Sequence, residues 1–180
     1  MKLRYGVIAG FGIVLLAGFW YAAHLTKQSI AKFGIGSQAP DFHATTLSTP
    51  PEPKGVAAYR GQVTLINIWA TYCQPCLVEM PSLDRLYQRY KDKGFKVVGV
   101  AVDDPGFEET VKAFVAKLGI SFEILHEGSG DIERAYRARG IPATYVVGRD
   151  GRVRMIRQGA ANWDAPEHYA LIERLLEEGK

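Results

Sequence analysis

The sequence predicts an α/β domain that follows a single apolar N-terminal helix. Two short runs, residues 63–69 and 96–102, are rich in β-branched side chains and have the composition of strands buried on both faces. The residues between them, 77–90, repeat their apolar side chains at helical spacing. Strand, helix and strand in this order predict a right-handed parallel crossover, the unit from which α/β sheets are built.

The N-terminal residues 5–26 contain no Asp, Glu, Lys or Arg and are numerous enough to cross a bilayer as one helix. Lys2 and Arg4 precede this run, so we expect a cytoplasmic N terminus and an extracytoplasmic or periplasmic remainder. A cleaved signal peptide is the alternative, but no clean small-residue cleavage site follows the run. The predicted organisation is a cytoplasmic tip and transmembrane anchor over residues 1–27, a tether over 28–37 and a folded domain over 38–180.

The charge balance gives no indication of a nucleic-acid partner. The chain has 22 Lys and Arg against 19 Asp and Glu, and its first 32 residues hold four basic residues and no acidic one. The rest of the chain is therefore nearly neutral.

Turn residues and periodicity predict the remaining elements. A strand over 42–47, a proline-rich surface loop over 48–55 and a returning strand over 56–59 should form a small hairpin. Asp164 is expected to cap the last helix, with Pro166 in its first turn. The other predicted elements are a helix over 107–118, a strand over 122–125, a short helix over 131–137, hairpin strands over 144–147 and 153–157, and a last helix that ends near residue 178.

Cys73 and Cys76 are the only cysteines of the chain, and they stand where the first buried strand gives way to a helix. Residues three apart on a helix are neighbours, so their sulfurs can form a disulfide. The N–H groups and the positive dipole end of a first helical turn favour an anion, which predicts a lowered pKa for Cys73 as the attacking thiolate. Cys76, one turn further on, should be less exposed and should resolve the mixed disulfide.

Other interpretations of two cysteines remain open but are weaker. A zinc site needs two more ligands, and the histidines His43, His126 and His168 are scattered without metal-ligand spacing. We expect His126 and His168 to be surface or helix polar residues. A purely structural disulfide would close a two-residue loop and constrain the unfolded chain very little.

The segment from Gly61 to Pro81, which contains WATYCQPC, resembles the active-site segment of TlpA/ResA-type membrane-anchored thiol-disulfide oxidoreductases in the thioredoxin superfamily. Arg139 to Thr144 (RGIPAT) resembles the cis-proline loop of the same family. The resemblance implies a thioredoxin-like three-layer α/β fold with a central mixed sheet and an inserted helix and strand. It also implies that Ile141 and Pro142 form the edge where a partner docks opposite the cysteines.

Glu79 is three residues beyond Cys76 on the predicted helix. A partly buried carboxyl there should have a raised pKa and could relay protons during exchange, whereas a carboxylate that only suits the helix dipole is the simpler interpretation. ResA-like proteins carry a functional Glu at the matching position, which favours the functional role. Asn67 stands where thioredoxin has a buried Asp, and an amide cannot titrate. Tyr72 replaces the usual Trp before the first cysteine and is a candidate for the docking surface.

The expected activity is dithiol–disulfide exchange on protein substrates, with no cofactor and no metal. By resemblance the direction is reduction, electrons come from a membrane thiol carrier, and exported proteins such as apocytochrome c are the candidate substrates. Two alternatives remain open. One is a peroxiredoxin-like thiol peroxidase, and the other is a non-catalytic membrane-tethered binding module or chaperone.

Overall fold

The computed structural model describes Gly18, Trp20 and residues 33–178. The chain divides into two compact units, Met1–Lys32 and Phe33–Lys180. The predicted anchor lies outside the described residues except for Gly18 and Trp20, so it stays a prediction, as do the proposed domain boundaries. Within the described residues, no helix combines the length and the apolar character needed to cross a membrane.

The described part of the second unit is built on one seven-stranded sheet. Its strands are β1 (Ala44–Thr46), β2 (Pro53–Lys54), β3 (Val63–Trp69), β4 (Phe95–Ala101), β5 (Glu123–His126), β6 (Ala143–Val147) and β7 (Val153–Gln158). They lie in the order β2-β1-β5-β4-β3-β6-β7. The strands β3, β4 and β5 are parallel, whereas β1, β6 and β7 run antiparallel to their neighbours. The predicted mixed sheet is confirmed.

Helices cover both faces of this sheet. The described helices are α1 (Gln74–Tyr90), α2 (Glu108–Leu118), α3 (Asp131–Ala135) and α4 (Pro166–Glu177). Alternate residues of β3 enter separate cores, as a period of two requires. Leu65 and Trp69 share one core with residues of α1, α2 and α4, whereas Ile66 and Ile68 share the other with α3. The central strand β3 is therefore buried on both faces, and the turn that follows it reaches the surface at Tyr72.

Two local predictions were wrong. Residues Val56–Tyr59 form a 3-10 helix and not a strand. Asp41 explains this, because its carboxylate accepts the Val56 N–H at 3.0 Å and fixes the start of the turn, while Tyr59 points into the core. The strand that returns to β1 is β2, inside the proline-rich loop, where Thr45 pairs with Pro53.

The start of the last helix also differs from the prediction. Ala165 is the N-cap residue of α4, and Pro166 occupies the first helical position. The carboxylate of Asp164 instead accepts hydrogen bonds from the Arg85 guanidinium and the Tyr169 hydroxyl. An Asp with two strong side-chain donors in reach has less need of a helix N–H.

Candidate active site

The two cysteines lie where β3 leaves the sheet and α1 begins. A turn closes between them and the strand, because the Cys73 N–H donates to the Ala70 carbonyl at 3.1 Å. Cys73 is the N-cap residue of α1, and its sulfur accepts the Cys76 N–H at 3.3 Å. Pro75 stands in the first helical turn, where its missing N–H leaves no helical bond unmade. The site is therefore the N terminus of α1, with the Cys73 sulfur at the N-cap position.

The structure joins Cys73 to Cys76 by a disulfide, with their Cα atoms 5.3 Å apart. Cys73 keeps 6% of its surface exposed, whereas Cys76 is fully buried. The neighbouring residues Tyr72, Gln74 and Pro75 are all exposed, so Cys73 lies at the protein surface even though little of it is uncovered. This asymmetry is the one expected for an outer attacking sulfur and an inner resolving one.

Glu79 lies one helical turn beyond Cys76 and is 1% exposed. Its Oε1 accepts a hydrogen bond from the Asn67 amide at 2.8 Å. Its Oε2 accepts the Ala161 backbone N–H at 3.0 Å and the Trp163 indole N–H at 3.1 Å. Burial raises the pKa of Glu79, although these donors and the charge of Arg157 act in the opposite direction. The result is a carboxyl that binds a proton more readily than an exposed Glu does.

Asn67 connects this carboxyl to the sheet. Its amide nitrogen donates both to Glu79 and to the Thr144 hydroxyl, the latter at 2.9 Å. Asn67 and Thr144 face each other across β3 and β6, and Arg157 on β7 is the register partner of Thr144. These three register partners on β3, β6 and β7 therefore lie on the same side as Glu79: Asn67 bonds to it, Thr144 bonds to Asn67, and the charge of Arg157 acts on it.

The peptide bond between Ile141 and Pro142 is cis. Ala143 pairs with Ile68 in the antiparallel register of β6 and β3, which sets Pro142 opposite Trp69, the last residue of β3. The Pro142 carbonyl accepts the Gly159 N–H, and Ile141 packs against the core that contains both cysteines. The two predicted docking residues thus border the segment that leads to Cys73. Tyr72, the residue before Cys73 in the chain, is 70% exposed.

Partial burial and the carboxylates of Asp103, Glu133 and Asp104 raise the pKa of Tyr72. A tyrosine hydroxyl, with an ordinary pKa of about 10, is already protonated at neutral pH, so Tyr72 is available as a hydrogen-bond donor.

The sequence did not reveal three features of this site. Ala161 and Trp163, in the loop before α4, donate hydrogen bonds to Glu79. The one signal for this in the sequence was a tryptophan outside any periodic run, because the N–H of a buried indole needs an acceptor. Asp103 accepts hydrogen bonds from Thr71, two residues before Cys73. The surface prediction for His126 was wrong, because its ring is buried against the Asp103 carbonyl at 2.8 Å.

Comparison with known proteins agrees with this geometry. The sequence profile of the family described as Redoxin matches residues 35–172. The thiol-disulfide oxidoreductase ResA of Oceanobacillus iheyensis is 33% identical over 160 residues, which is 87% of this chain and 82% of that protein. The thioredoxin-like protein YneN of Bacillus subtilis is 31% identical, over 84% of this chain and 89% of its own.

Solved structures show the same fold. The thiol:disulfide interchange protein DsbE of Chlorobium tepidum superposes with a TM-score of 0.72 at 26% identity, over 81% of this chain and 99% of its own. A thioredoxin from Neisseria meningitidis gives a TM-score of 0.67, also at 26% identity, over 80% and 93% of the two chains. The predicted thioredoxin-like α/β fold is confirmed.

Proposed function

The chain belongs to the Redoxin family and, within the thioredoxin superfamily, to the thiol-disulfide oxidoreductases of TlpA/ResA type, and on this premise we propose that it reduces disulfides of exported proteins through Cys73 and Cys76. The observation that carries the proposal is the position of Cys73, which caps α1 with its sulfur on the Cys76 N–H. A thiolate in that place gains a hydrogen bond and the helix dipole, which an ordinary thiol lacks.

The first step is attack by the reduced Cys73 thiolate on one sulfur of the partner disulfide. A bond forms between that sulfur and Cys73, the partner disulfide breaks, and the second partner sulfur leaves as a thiolate that takes up a proton. The small exposed fraction of Cys73 suits this role, because the outer sulfur is the one that an approaching disulfide meets first.

The second step is attack by Cys76 on the Cys73 sulfur of the mixed disulfide. Cys76 must lose its proton first, and Glu79 on the same helix is the base that we assign to it. The raised pKa of Glu79 makes its carboxylate a stronger base than an exposed Glu, which favours proton transfer near neutral pH. The intramolecular disulfide re-forms, and the first partner sulfur leaves as a thiolate, which takes up a proton as Glu79 releases the one that it removed from Cys76. Two electrons and two protons have then passed to the partner.

Ile141 and Pro142 form the docking edge in this proposal. The register of β6 against β3 supports this, because it puts the backbone before Pro142 beside the segment that carries Cys73. Tyr72, next to Cys73 in the chain, supplies an exposed aromatic ring and a hydroxyl. A partner strand docked on the Ile141–Pro142 edge would bring its cysteine to Cys73.

The cellular setting is also part of the proposal. The apolar run over residues 5–26 would hold the domain on the outer side of the cell membrane through contact with the lipid bilayer. A membrane thiol carrier would return electrons to the Cys73–Cys76 disulfide after each turnover. Apocytochrome c, whose haem-binding cysteines must stay reduced, is the substrate that we propose to test first.

The experiment is capture of the partner on Cys73. In the variant Cys76→Ser the mixed disulfide cannot be resolved, so exported partners should remain bound to Cys73 and be identified by mass spectrometry after non-reducing electrophoresis. The double variant Cys73→Ser/Cys76→Ser is the matched control and should trap none. If Cys76→Ser captures no protein and the purified wild-type chain reduces no protein disulfide, the proposal is wrong.

The two alternative activities give different results in the same variants. A peroxidase would retain peroxide turnover in Cys73→Ser, since its peroxidatic cysteine would be Cys76. A binding module would hold its client equally well in the double variant.

A further inference from the structure

Asp103 is a buried carboxylate beside the active-site turn. It follows β4 by two residues and is 2% exposed. Both of its oxygens accept the Thr71 backbone N–H, at 3.2 and 3.1 Å, and Oδ1 also accepts the Thr71 hydroxyl. A carboxylate so deeply buried needs donors of this kind, so its position and that of Thr71 determine each other.

Thr71 is the second residue of the turn that delivers Cys73 to the helix. The turn runs from Ala70 to Cys73 and is closed by the Cys73 N–H on the Ala70 carbonyl. The Thr71 N–H takes no part in that closure, and Asp103 is its acceptor. The last residue of the turn is the N-cap of α1, so a shift at Thr71 would move the Cys73 sulfur relative to the Cys76 N–H.

The backbone around Asp103 is itself held by contacts with neighbouring strands. The Val102 N–H donates to the Trp69 carbonyl at 2.9 Å, which extends the β3–β4 pairing up to the turn. The His126 ring contacts the Asp103 carbonyl at 2.8 Å, and the other nitrogen of that ring lies 3.4 Å from a Glu108 oxygen. The backbone of Asp103 is therefore held by β4, by β5 through His126, and through that ring by the start of α2.

We propose that Asp103 is a positioning residue for the oxidoreductase: by holding Thr71 it keeps Cys73 in the N-cap geometry that stabilises the attacking thiolate. This inference rests on the proposed role of Cys73. It predicts the direction in which the pKa of the Cys73 thiol changes when Asp103 is removed, and this direction distinguishes a positioning role from a charge effect. Removing a nearby negative charge would by itself lower the pKa of a thiol, whereas loosening the N-cap would raise it.

The test is the pH dependence of Cys73 alkylation by iodoacetamide, in the reduced full-length chain with Cys76→Ser in the background. Asp103→Ala should raise the midpoint of the pH profile and slow alkylation at pH 6 by about fivefold, the factor that an N-cap interaction of ordinary strength represents. Thr71→Val should do the same to a smaller extent because its N–H remains. Thr71→Ser, which keeps both donors, should behave like the parent.

Asp104→Ala is the matched control. Asp104 and Asp103 both place a negative charge near Tyr72, but Asp104 makes no hydrogen bond to the turn among the described residues. Its removal should leave the midpoint unchanged or lower it. The other ionisable groups around the turn, which are Tyr72, Glu133, His126 and its neighbour Glu108, are retained in every variant.

Opposite results would overturn the inference. If Asp103→Ala shifts the midpoint downwards as a simple charge loss would, or leaves it in place, Asp103 does not position Cys73. If Thr71→Val and Thr71→Ser are indistinguishable from the parent, the hydroxyl contact has no such role. A parent midpoint no lower than that of a free cysteine would instead contradict the proposed function, and this inference with it.

Discussion

The substitution Glu79→Gln tests the chemistry of the second step directly. Gln keeps the length of the side chain and one carbonyl oxygen, which can still accept from Ala161 and Trp163. It loses the ability to take a proton from Cys76. If Glu79 is the base, the first attack by Cys73 should be almost unchanged, and only the resolution by Cys76 should slow.

The expected size follows from the state of Cys76 without a base. An ordinary thiol with a pKa of about 8.5 is only about 3% ionised at pH 7. Full ionisation of such a thiol would raise its reactive fraction about 30-fold, and the lower end of general-base catalysis is about 100-fold. We therefore expect resolution in Glu79→Gln to be roughly 30-fold to 100-fold slower at pH 7, with the ratio falling as pH rises towards the pKa of the thiol.

A single-turnover stopped-flow experiment measures both steps. Reduced protein mixed with a coloured aromatic disulfide releases one thiolate when Cys73 attacks and a second when Cys76 resolves. In the wild type the second phase should rise with pH through the raised pKa of Glu79, and in Glu79→Gln that limb should be missing. A second phase with the same rate and the same pH profile in both proteins would refute the assignment of Glu79 as the base.

Stability provides an independent control on the same residue. A carboxyl whose pKa is raised by folding contributes stability that is fully present below its unfolded pKa of about 4.3 and is lost as pH rises through the folded value. The free energy of unfolding of the wild type should therefore fall relative to that of Glu79→Gln between pH 4 and pH 8 in urea denaturation. A difference that does not change with pH would mean that folding leaves the pKa of Glu79 unshifted.

Three further predictions concern the surroundings of the disulfide. Trp163→Phe removes a donor that lowers the pKa of Glu79, so the Glu79 limb of the resolution profile should move to higher pH, and an unmoved limb would contradict the contact. Pro142→Ala should raise the KM for a protein disulfide but leave alkylation of Cys73 by iodoacetamide unchanged; equal effects on both would contradict a docking role. Gly99→Ala should destabilise the fold by about 1–3 kcal/mol in urea denaturation, because an added Cβ would lie 2.7 Å from Ile124 and 3.1 Å from the Trp69 indole; unchanged stability would show that the core yields there.

The sheet and the main helix could be predicted because their residues repeat a simple pattern. Residues 63–69 are buried throughout, which matches a continuous β-branched and aromatic run in a central strand covered on both faces. The helix after the cysteines extends to Tyr90 as its apolar spacing predicts. Local composition decides such segments, since each buries most of its own side chains.

The errors occur where a distant side chain decides the local structure. Asp41 fixes the turn at Val56, and Arg85 draws Asp164 away from the helix that it was expected to cap. His126 is buried because the fold brings β4 and β5 together, which lets its ring N–H donate to the Asp103 carbonyl. No spacing along the chain encodes these partners.

The pairing of Asn67 with Glu79 shows why an amide suits the position that is an acid in thioredoxin. A second carboxyl so close to Glu79 would compete with it for one proton, and the two could not ionise independently. The amide gives the ionised Glu79 a donor, while its own oxygen has no hydrogen-bond partner among the described residues. If Glu79 takes up a proton on Oε1, half a turn of the amide would bring that oxygen to the new O–H and leave the amide nitrogen facing away. Asn67 can therefore serve both protonation states of Glu79, which a base that receives and releases one proton in each cycle requires.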